Sequence, residues 1–318
     1  YHMQLYQGQA KKLKDCHTVY DFAKKEYRKD SEHILTLDIE TTSAWILDDG
    51  TITTYKTGKT AEFWSEQTPI AIPYIWQFSI DDKVYYGREW ADFRKVMEDL
   101  PKTIHFIIWV HNLAFEFEFL TNLLTFKNVF ARNPHKVMYA TAEEFPNIEF
   151  RCSYILTNYS LAKLGDQLQK YKVRKLVGDL DYTKVRHPET PLTDEELQYC
   201  INDVLVVSAY IKEQIEKEKY IHKIPLTCTS YCRRFVRKNC LYGSVFKLWR
   251  KQFRKYHAFI KSLKIRNLDE YKQLKRAFMG GFTHAGHYYS AYTLENVSHV
   301  DFSSSYPYVL LSEQFPMS

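Results

Sequence analysis

The amino-acid sequence predicts an α/β domain, in which helices cover a mixed sheet, followed by a basic helical segment. Strand-like segments, notably the continuous apolar run at 104–110, alternate with helix-like segments up to about residue 210. Residues 211–276 contain 19 Lys and Arg against 5 Asp and Glu, whereas the rest of the chain contains 25 against 33. The total charge of +6 therefore combines a basic segment of +14 with an acidic remainder of −8. Such asymmetry indicates either a polyanionic partner or a solvated helical surface.

Composition excludes several classes of protein. Among the 318 residues 45% are apolar and 26% are charged, which are globular values and exclude a disordered or fibrous chain. No apolar run is long enough to span a membrane, and the polar residues 1–15 contain no signal-peptide core. The six Cys are sparse and irregularly spaced, which is typical of free thiols in a reducing compartment.

Hydrophobic periodicity assigns the elements of the first 160 residues. Alternating apolar residues or an unbroken apolar run predict strands, two of which flank the turn signal Asp81-Asp82 as a hairpin. Apolar residues at helical spacing predict helices, and the polar stretch 43–68 is predicted to be an insertion. The predicted strands are 34–40, 70–80, 83–86, 104–110, 137–139 and 148–152. The predicted helices are 18–28 in a polar lead-in, 90–100 and 114–124.

The rest of the chain is predicted to be mostly helical. Ser160 stands where it can cap a helix reaching about residue 171. Thr193 and Glu196 have the spacing of a capping box and start a long helix ending near residue 219. The remaining predicted elements are a basic helical region at 228–276, a break at Gly280-Gly281 and a strand at 297–302.

Carboxylates occur in three segments that an α/β fold can bring together. Asp38 and Glu40 are two apart on a strand, so both side chains face one side of the sheet. The segment 111–116 joins the end of a buried strand to the start of a helix, which is where α/β proteins place their sites. Tyr199 and Asp203 are four apart and lie on one helix face. Each pattern alone is more often structural than catalytic.

Together, these segments predict a nuclease centre. Three or four converging carboxylates bind two hard cations through oxygen ligands. Two ions about 3.5–4 Å apart activate a water and stabilise the leaving oxygen of a phosphodiester. A neighbouring phenol can orient that water.

The order of these segments resembles the Exo I, Exo II and Exo III motifs of DEDD-type 3′–5′ proofreading exonucleases. It resembles most the exonuclease of protein-primed family B DNA polymerases from bacteriophages and linear plasmids. The further segments that carry this resemblance are Gly178-Asp-Leu-Asp-Tyr182, the Y-x-G-G-like linker Phe278-Met-Gly-Gly-Phe282, and Asp301-Phe-Ser-Ser-Ser-Tyr306-Pro307, which is similar to polymerase motif A. The resemblance covers roughly residues 31–318.

The resemblance implies a domain organisation. Residues 1–30 would be a lead-in and residues 31–210 a ribonuclease H-like exonuclease domain. Residues 211–318 would hold the basic helical segment, the linker and the start of the polymerase palm up to motif A. Motif A begins seventeen residues before the last residue of the sequence, so we expect an N-terminal portion of a polymerase, competent as an exonuclease but not for DNA synthesis.

The resemblance also implies roles for individual residues, with two Mg²⁺ or Mn²⁺ ions as cofactors. The implied exonuclease residues are the metal ligands Asp38, Glu40 and Asp203, the further catalytic acid Glu116, and Tyr199, which would position the attacking water. The implied DNA contacts are Thr41, Asn112, Phe115, Gly280 and Gly281. The implied polymerase residues are Asp301 as a metal ligand and Tyr306, which would pack under the deoxyribose of the nucleotide.

Four positions depart from the pattern of the family. Glu116 stands where the family usually has Asp, and its extra methylene changes the reach of the carboxylate. The exonuclease lysine of the family falls at or near Val177, with Lys175 as the nearest substitute. Phe278 replaces the linker tyrosine, and Ser305 replaces the usual Leu of motif A.

The implied partners are a single-stranded 3′ end and primer–template DNA, with a terminal-protein primer and deoxynucleotides for the intact enzyme. The implied location is the bacterial cytoplasm, without membrane contact. Two alternatives stay open: a stand-alone DEDD nuclease acting on RNA or DNA, and a non-catalytic DNA-binding module with a decayed site at Glu116. Cys228, Cys232 and Cys240 with His222 match no usual structural zinc spacing, so we predict buried thiols.

Overall fold

The computed structural model describes residues 2–54, 58–173, 180–238, 246–278, 286–289 and 292–314. The chain divides into two compact units, Tyr1–Arg233 and Arg234–Ser318.

An eleven-stranded mixed sheet forms the centre of the first unit as far as it is described. Its strands are β1 (Met3–Leu5), β2 (Cys16–Asp21), β3 (Glu26–Ser31), β4 (Leu35–Ile46), β5 (Ile52–Thr53), β6 (Thr68–Ile80), β7 (Lys83–Gly87), β8 (Ile104–Val110), β9 (Phe126–Ala131), β10 (Val137–Ala142) and β11 (Ile148–Cys152). The helices are α1 (Ala61–Glu66), α2 (Phe93–Asp99), α3 (Leu113–Leu120), α4 (Ser153–Thr157), α5 (Leu161–Gln167) and α6 (Asp194–Glu218). Short 3-10 turns occupy Gln9–Lys12, Trp90–Asp92 and Ile221–Lys223.

The sheet runs in the order β1-β7-β6-β4-β8-β11-β10-β9, with β2, β3 and β5 off this path. Strand β4 pairs antiparallel with β6 and parallel with β8. Strand β8 also pairs parallel with β11, and its first residues, from Ile104, pair with β3. The mixed strand directions and the flanking helices confirm the predicted α/β fold.

The two faces of strand β4 pack against different parts of the structure. Its odd-numbered residues Leu35, Leu37 and Ile39 are buried in the main hydrophobic core, which includes residues of α2 and β8. On the other face, Thr36 Oγ1 donates a hydrogen bond to the Val204 carbonyl of α6 over 3.2 Å. Thr36 and the next even-numbered residues, Asp38 and Glu40, therefore lie on the face toward α6.

Helix α6 begins with the predicted capping box. The Glu196 backbone N–H donates to Thr193 Oγ1 over 3.2 Å, and the Thr193 N–H donates to Glu196 Oε2 over 2.7 Å. Both bonds satisfy N–H groups that the helix cannot pair internally. The predicted long helix is confirmed, and it ends at Glu218.

The structure differs from several local predictions. Residues 18–28 form most of the β2–β3 hairpin instead of a helix, with Tyr20 opposite Tyr27 and Lys25 in the left-handed turn conformation, at φ 57°. Within the stretch 43–68, which was predicted to be an insertion, β4 continues to Ile46 alongside β6, and β5 and α1 follow. Strand β9 is an element that periodicity did not predict, and the helix capped by Ser160 ends at Gln167.

The second unit is described mainly by helices. They are α7 (Cys228–Val236), which spans the division between the units, α8 (Phe246–Ser262), α9 (Leu268–Ala277) and α10 (Ser305–Ser312), with a 3-10 turn at His287–Tyr289. The helical prediction for 228–276 is confirmed for the described residues. The predicted strand at 297–302 is wrong, because a strand needs a hydrogen-bonded partner and this segment has none in the described backbone. The break at Gly280-Gly281 lies outside the described residues.

In the described part of the chain, no helix has the length and apolar character needed to cross a membrane.

Candidate metal centre

Three carboxylates from distant parts of the sequence converge between β4 and α6. One oxygen each of Asp38, Glu40 and Asp203 lies within 4.8 Å of the others. Asp38 and Glu40 share the face of β4 that points toward α6, and Asp203 precedes Val204, which contacts that face. Glu40 and Asp203 are buried and Asp38 is half-buried. Like charges held this close repel in a low-dielectric environment, so the cluster is suited to a cation.

An irregularity in strand pairing follows directly after these ligands. Glu40 pairs with Ile75 on β6, but Thr41 pairs with Pro73, so the register skips Tyr74. The extra residue is a β-bulge, a feature that re-aims side chains near functional sites. Thr41 is half-buried and lies at this bulge, next to Glu40.

Gln77 holds one of the carboxylates in place. It lies opposite Asp38 in the β4–β6 register, and its Nε2 donates to Asp38 Oδ2 over 2.6 Å. Its side chain is fully buried. Gln77 is absent from the residues predicted from the sequence, although a polar side chain inside the apolar run Tyr74–Phe78 was a visible signal.

Glu116 lies on the first turn of α3 and is 2% exposed. Burial raises the pKa of its carboxyl well above the usual range, and the nearby charges of Asp38 and Glu40 raise it further. Its Oε2 has no hydrogen-bond partner among the described residues. Glu116 is not one of the three carboxylates within 4.8 Å of each other, so its role as a catalytic acid stays a prediction.

Tyr199 lies beside the carboxylates on α6, one turn before Asp203. Burial raises the pKa of its hydroxyl to about 12, and the charges of Asp203, Glu40 and Asp38 act in the same direction. Its Oη lies 3.1 Å from the Oη of Tyr182, a contact that the sequence did not predict. The phenol therefore stays protonated well above neutral pH.

The loop that carries Tyr182 is fixed by a buried ion pair. The Arg186 guanidinium donates to Glu196 Oε1 over 2.6 Å, and both side chains are almost fully buried. Arg186 also exchanges backbone hydrogen bonds with the Thr42 hydroxyl, at 2.8 and 2.9 Å. The loop is thereby attached both to the start of α6 and to β4.

Two of the predicted DNA contacts, Asn112 and Phe115, lie at the start of α3, whereas Thr41 lies on β4. Asn112 is exposed and adopts the left-handed conformation, at φ 66°, where the chain turns from β8 into the helix. Phe115 is 38% exposed, and its ring packs against Phe119 with centroids 5.3 Å apart. His111 Nδ1 lies 2.9 Å from Ser153 Oγ. An exposed aromatic ring therefore lies one residue from the buried Glu116.

The other predicted site residues lie in the second unit. Asp301 and Tyr306 are exposed, and neither of the two potential metal-binding groups among the described residues includes Asp301. Gly280 and Gly281 lie outside the described residues, as do Lys175, Val177 and Cys240. The prediction of buried thiols is wrong for Cys228 and Cys232, which are exposed on the amphipathic helix α7.

A profile of the family "DNA polymerase type B, organellar and viral" matches residues 153–318, which is about half of the chain. The chain belongs to this family. No curated protein sequence matches it.

Two solved structures of Phi29 DNA polymerase share its fold. The complex with primer-template DNA is 16% identical, with a TM-score of 0.52 over 80% of this chain and 41% of the polymerase. The complex that also holds incoming nucleotide substrates is 15% identical, with a TM-score of 0.50 over 81% of this chain and 40% of the polymerase. The family match confirms the resemblance to family B DNA polymerases, and the two structures show that the fold is shared with Phi29 DNA polymerase. This chain spans about two fifths of the length of those polymerases.

Proposed function

We propose that the chain is an N-terminal part of a protein-primed family B DNA polymerase and that it removes nucleotides from the 3′ end of DNA. The observation that carries this proposal is the convergence of Asp38, Glu40 and Asp203 within 4.8 Å. These residues come from two elements that are far apart in sequence, and they match the order of the exonuclease motifs.

The donor set suits two Mg²⁺ or Mn²⁺ ions. All of the converging ligand atoms are carboxylate oxygens, which hard divalent cations prefer. The buried Glu116 supplies a further oxygen without a hydrogen-bond partner among the described residues, beside the charges of Asp38 and Glu40. When bound, the two ions would activate the attacking water and stabilise the leaving oxygen of the phosphodiester.

The residues of the chain would position the reactants. Tyr199 keeps its proton because of its raised pKa, so it can donate a hydrogen bond that orients the attacking water. Tyr182 fixes the Tyr199 hydroxyl, and Gln77 fixes the Asp38 carboxylate. Each of these bonds reduces the freedom of a group that must be aligned before reaction.

The DNA would approach over the start of α3. The exposed ring of Phe115 offers a stacking surface to an unpaired base, which requires no sequence preference. Thr41 and Asn112 would contact the same frayed 3′ end. Basic residues of 211–276 would contact DNA phosphates, because this segment carries a net charge of +14.

The remaining roles belong to the intact polymerase. Asp301 would bind a metal ion for synthesis, and Tyr306 would lie under the deoxyribose of the nucleotide. Gly280 and Gly281 would allow the backbone to approach the template. A terminal protein and deoxynucleotides would be the further partners, in the cytoplasm of a bacterial host.

A nuclease assay tests the proposal. The chain is incubated with 5′-labelled single-stranded DNA and either Mg²⁺ or Mn²⁺, beside the Asp38→Ala variant and the exposed control Asp48→Ala. We expect stepwise shortening from the 3′ end with the wild type and the control, and none with Asp38→Ala. Full activity of Asp38→Ala, or no shortening with either ion, contradicts the proposal. Faster digestion of RNA than of DNA supports a stand-alone nuclease instead.

A further inference from the structure

A second group of potential metal ligands lies in the first unit, in a different part of the structure from the carboxylate cluster. It consists of His17 on β2, Asp30 on β3 and His222 in the 3-10 turn after α6, with ligand atoms all within 4.8 Å of one another. His17 Nε2 lies 3.3 Å from His222 Nδ1, and His222 Nδ1 lies 3.6 Å from Asp30 Oδ2. We propose that these three side chains bind one Zn²⁺-like transition-metal ion.

The distances fit a tetrahedral ion. Zinc binds imidazole nitrogen and carboxylate oxygen at about 2.0–2.2 Å, so two ligands of a tetrahedral site are roughly 3.3–3.5 Å apart. The separations of 3.3 and 3.6 Å are close to this value, and all three pairs of ligand atoms lie within 4.8 Å. Two imidazole nitrogens and one carboxylate oxygen also favour a borderline-soft ion such as Zn²⁺ over Mg²⁺.

The two imidazole rings are held by a shared neighbour. The Tyr220 ring lies against both of them, with centroids 4.6 Å from His17 and 5.6 Å from His222. The imidazole planes are inclined to each other by only 34°. This packing keeps the two ligand atoms in place before an ion binds, which lowers the entropic cost of binding.

Charged side chains surround the group. The opposite ring nitrogen of His17, Nδ1, is buried without a hydrogen-bond partner in the described part of the chain, and Glu32 Oε1 lies 3.7 Å from it. A small movement of the half-exposed Glu32 side chain would give the carboxylate–histidine pair that often supports a zinc ligand. Asp30 is 1% exposed, and both of its oxygens accept hydrogen bonds from Arg28: Oδ1 from Nε over 2.6 Å and Oδ2 from Nη2 over 3.2 Å. A carboxylate oxygen has two lone pairs, so Oδ2 can still bind an ion. Arg28 also pairs with Asp21 at 3.1 Å, so its charge is compensated by two carboxylates.

The ion would join two parts of the first unit that are distant in sequence. His17 and Asp30 belong to the lead-in hairpin, whereas His222 lies 205 residues after His17. Three protein ligands leave the fourth tetrahedral position to water. A site of this kind would fix the hairpin to the chain that leaves α6, and the stabilisation would come from binding the folded state only.

Binding of Zn²⁺ tests this inference independently of nuclease activity. The chain is stripped of metal, and Zn²⁺ is titrated by calorimetry in excess Mg²⁺, which fills the oxygen-only centre. We expect one Zn²⁺ per chain and a higher melting temperature. The His222→Gln and His17→Gln variants should bind at least tenfold more weakly. The exposed control His135→Gln should behave as the wild type.

Cobalt supplies a readout that does not depend on the stability of a variant. The wild type with Co²⁺ should show the strong visible absorption of a tetrahedral ion, and His17→Gln should lack it. Circular dichroism of the metal-free variants establishes that they fold. The inference is overturned if wild type and His222→Gln bind Zn²⁺ equally, or if the wild type gives only the weak absorption of octahedral Co²⁺.

Discussion

Gln77 Nε2 donates a hydrogen bond of 2.6 Å to Asp38 Oδ2 from the directly opposite position on the neighbouring strand. The amide is fully buried, and its Oε1 has no hydrogen-bond partner among the described residues. A neutral donor at this place fixes the orientation of a proposed metal ligand without neutralising its charge. Gln77 is therefore a positioning residue for Asp38.

Replacement of Gln77 should weaken the proposed exonuclease. Because Gln77→Leu removes the donor at similar volume, we expect kcat/KM on single-stranded DNA to fall roughly 10–100-fold, with a higher Mg²⁺ requirement. The matched control is Gln67→Leu, another buried amide, whose Nε2 bonds the Phe63 carbonyl instead. Equal activities of the two variants over a Mg²⁺ titration would show that Gln77 does not position Asp38.

The Tyr182 hydroxyl should affect the exonuclease rate through its hydrogen bond to Tyr199. Tyr182 is 62% exposed and lies 3.1 Å from the Tyr199 hydroxyl, so Tyr182→Phe removes one hydrogen bond with little effect on packing. We expect an approximately fivefold loss of exonuclease rate, which corresponds to about 1 kcal/mol. Tyr199→Phe should lose more, and Tyr27→Phe, on the distant hairpin and 75% exposed, should lose nothing. A larger loss for Tyr182→Phe than for Tyr199→Phe would contradict this order.

Replacement of the buried Glu116 carboxyl should have opposite effects on stability and activity. The carboxyl is 2% exposed and its pKa is raised, so at neutral pH folding must either bury a charge or take up a proton. Glu116→Gln avoids this cost, so without metal it should raise the free energy of unfolding by about 1 kcal/mol. The same variant should cleave DNA roughly tenfold more slowly or worse. Glu118→Gln changes an exposed carboxylate two residues away and serves as the control. Urea unfolding in EDTA and the nuclease assay measure both effects; unchanged cleavage by Glu116→Gln would exclude Glu116 as a catalytic acid.

Phe115 should contribute to the binding of single strands more than to folding. Its ring is 38% exposed, and loss of one base–aromatic stack weakens binding by about 1–3 kcal/mol. We therefore expect Phe115→Ala to bind a short labelled oligonucleotide more weakly in EDTA, measured by fluorescence anisotropy. Phe22→Ala, which removes an 84% exposed ring from the hairpin turn, should bind as the wild type does. Equal affinities of Phe115→Ala and Phe22→Ala would show that Phe115 does not stack on the bound strand.

Periodicity predicted the central elements because their burial is regular. Strand β8 is buried along nearly its whole length, and α6 has a capping box that marks its first turn. The lead-in hairpin was mispredicted because Val19, Ala23 and Tyr27 also have helical spacing. The strand conformation is stabilised by the pairing of β3 with β8, a long-range contact that no local pattern contains.

In the candidate site, too, local patterns were predictable from the sequence and long-range contacts were not. Local spacing is enough to place Asp38 with Glu40, and Tyr199 with Asp203, on common faces of a strand and a helix. The convergence of the two pairs depends on the packing of α6 against β4. The Gln77 bond and the His17–Asp30–His222 group depend on register and on contacts across the fold, so the sequence alone did not reveal them.

The β6–β7 turn should make stability depend on pH through His33. The hydrogen bond of His33 Nδ1 to Asp81 Oδ2, 2.9 Å long, raises the pKa of His33. Burial alone would raise the pKa of Asp81, but the bonds from His33 and the Ile34 N–H outweigh burial and lower it. A raised histidine pKa means that the folded state binds the proton more tightly than the unfolded state does. The stabilisation is therefore complete below the unfolded value of about 6.5 and is lost as pH rises through the raised folded value.

We expect His33→Gln to lower the free energy of unfolding by about 0.5–1 kcal/mol near pH 5.5 and by less near pH 9, where His33 is neutral. The effect is modest because Asp81 is partly exposed and solvent screens the pair. Urea unfolding at several pH values measures the difference between variant and wild type. The exposed His135→Gln should show no such dependence. A difference that is constant with pH, or that grows toward pH 9, would mean that the charged His33–Asp81 pair does not stabilise the turn. The site residues are unchanged in this variant, so exonuclease activity at a pH where both proteins are folded should equal that of the wild type.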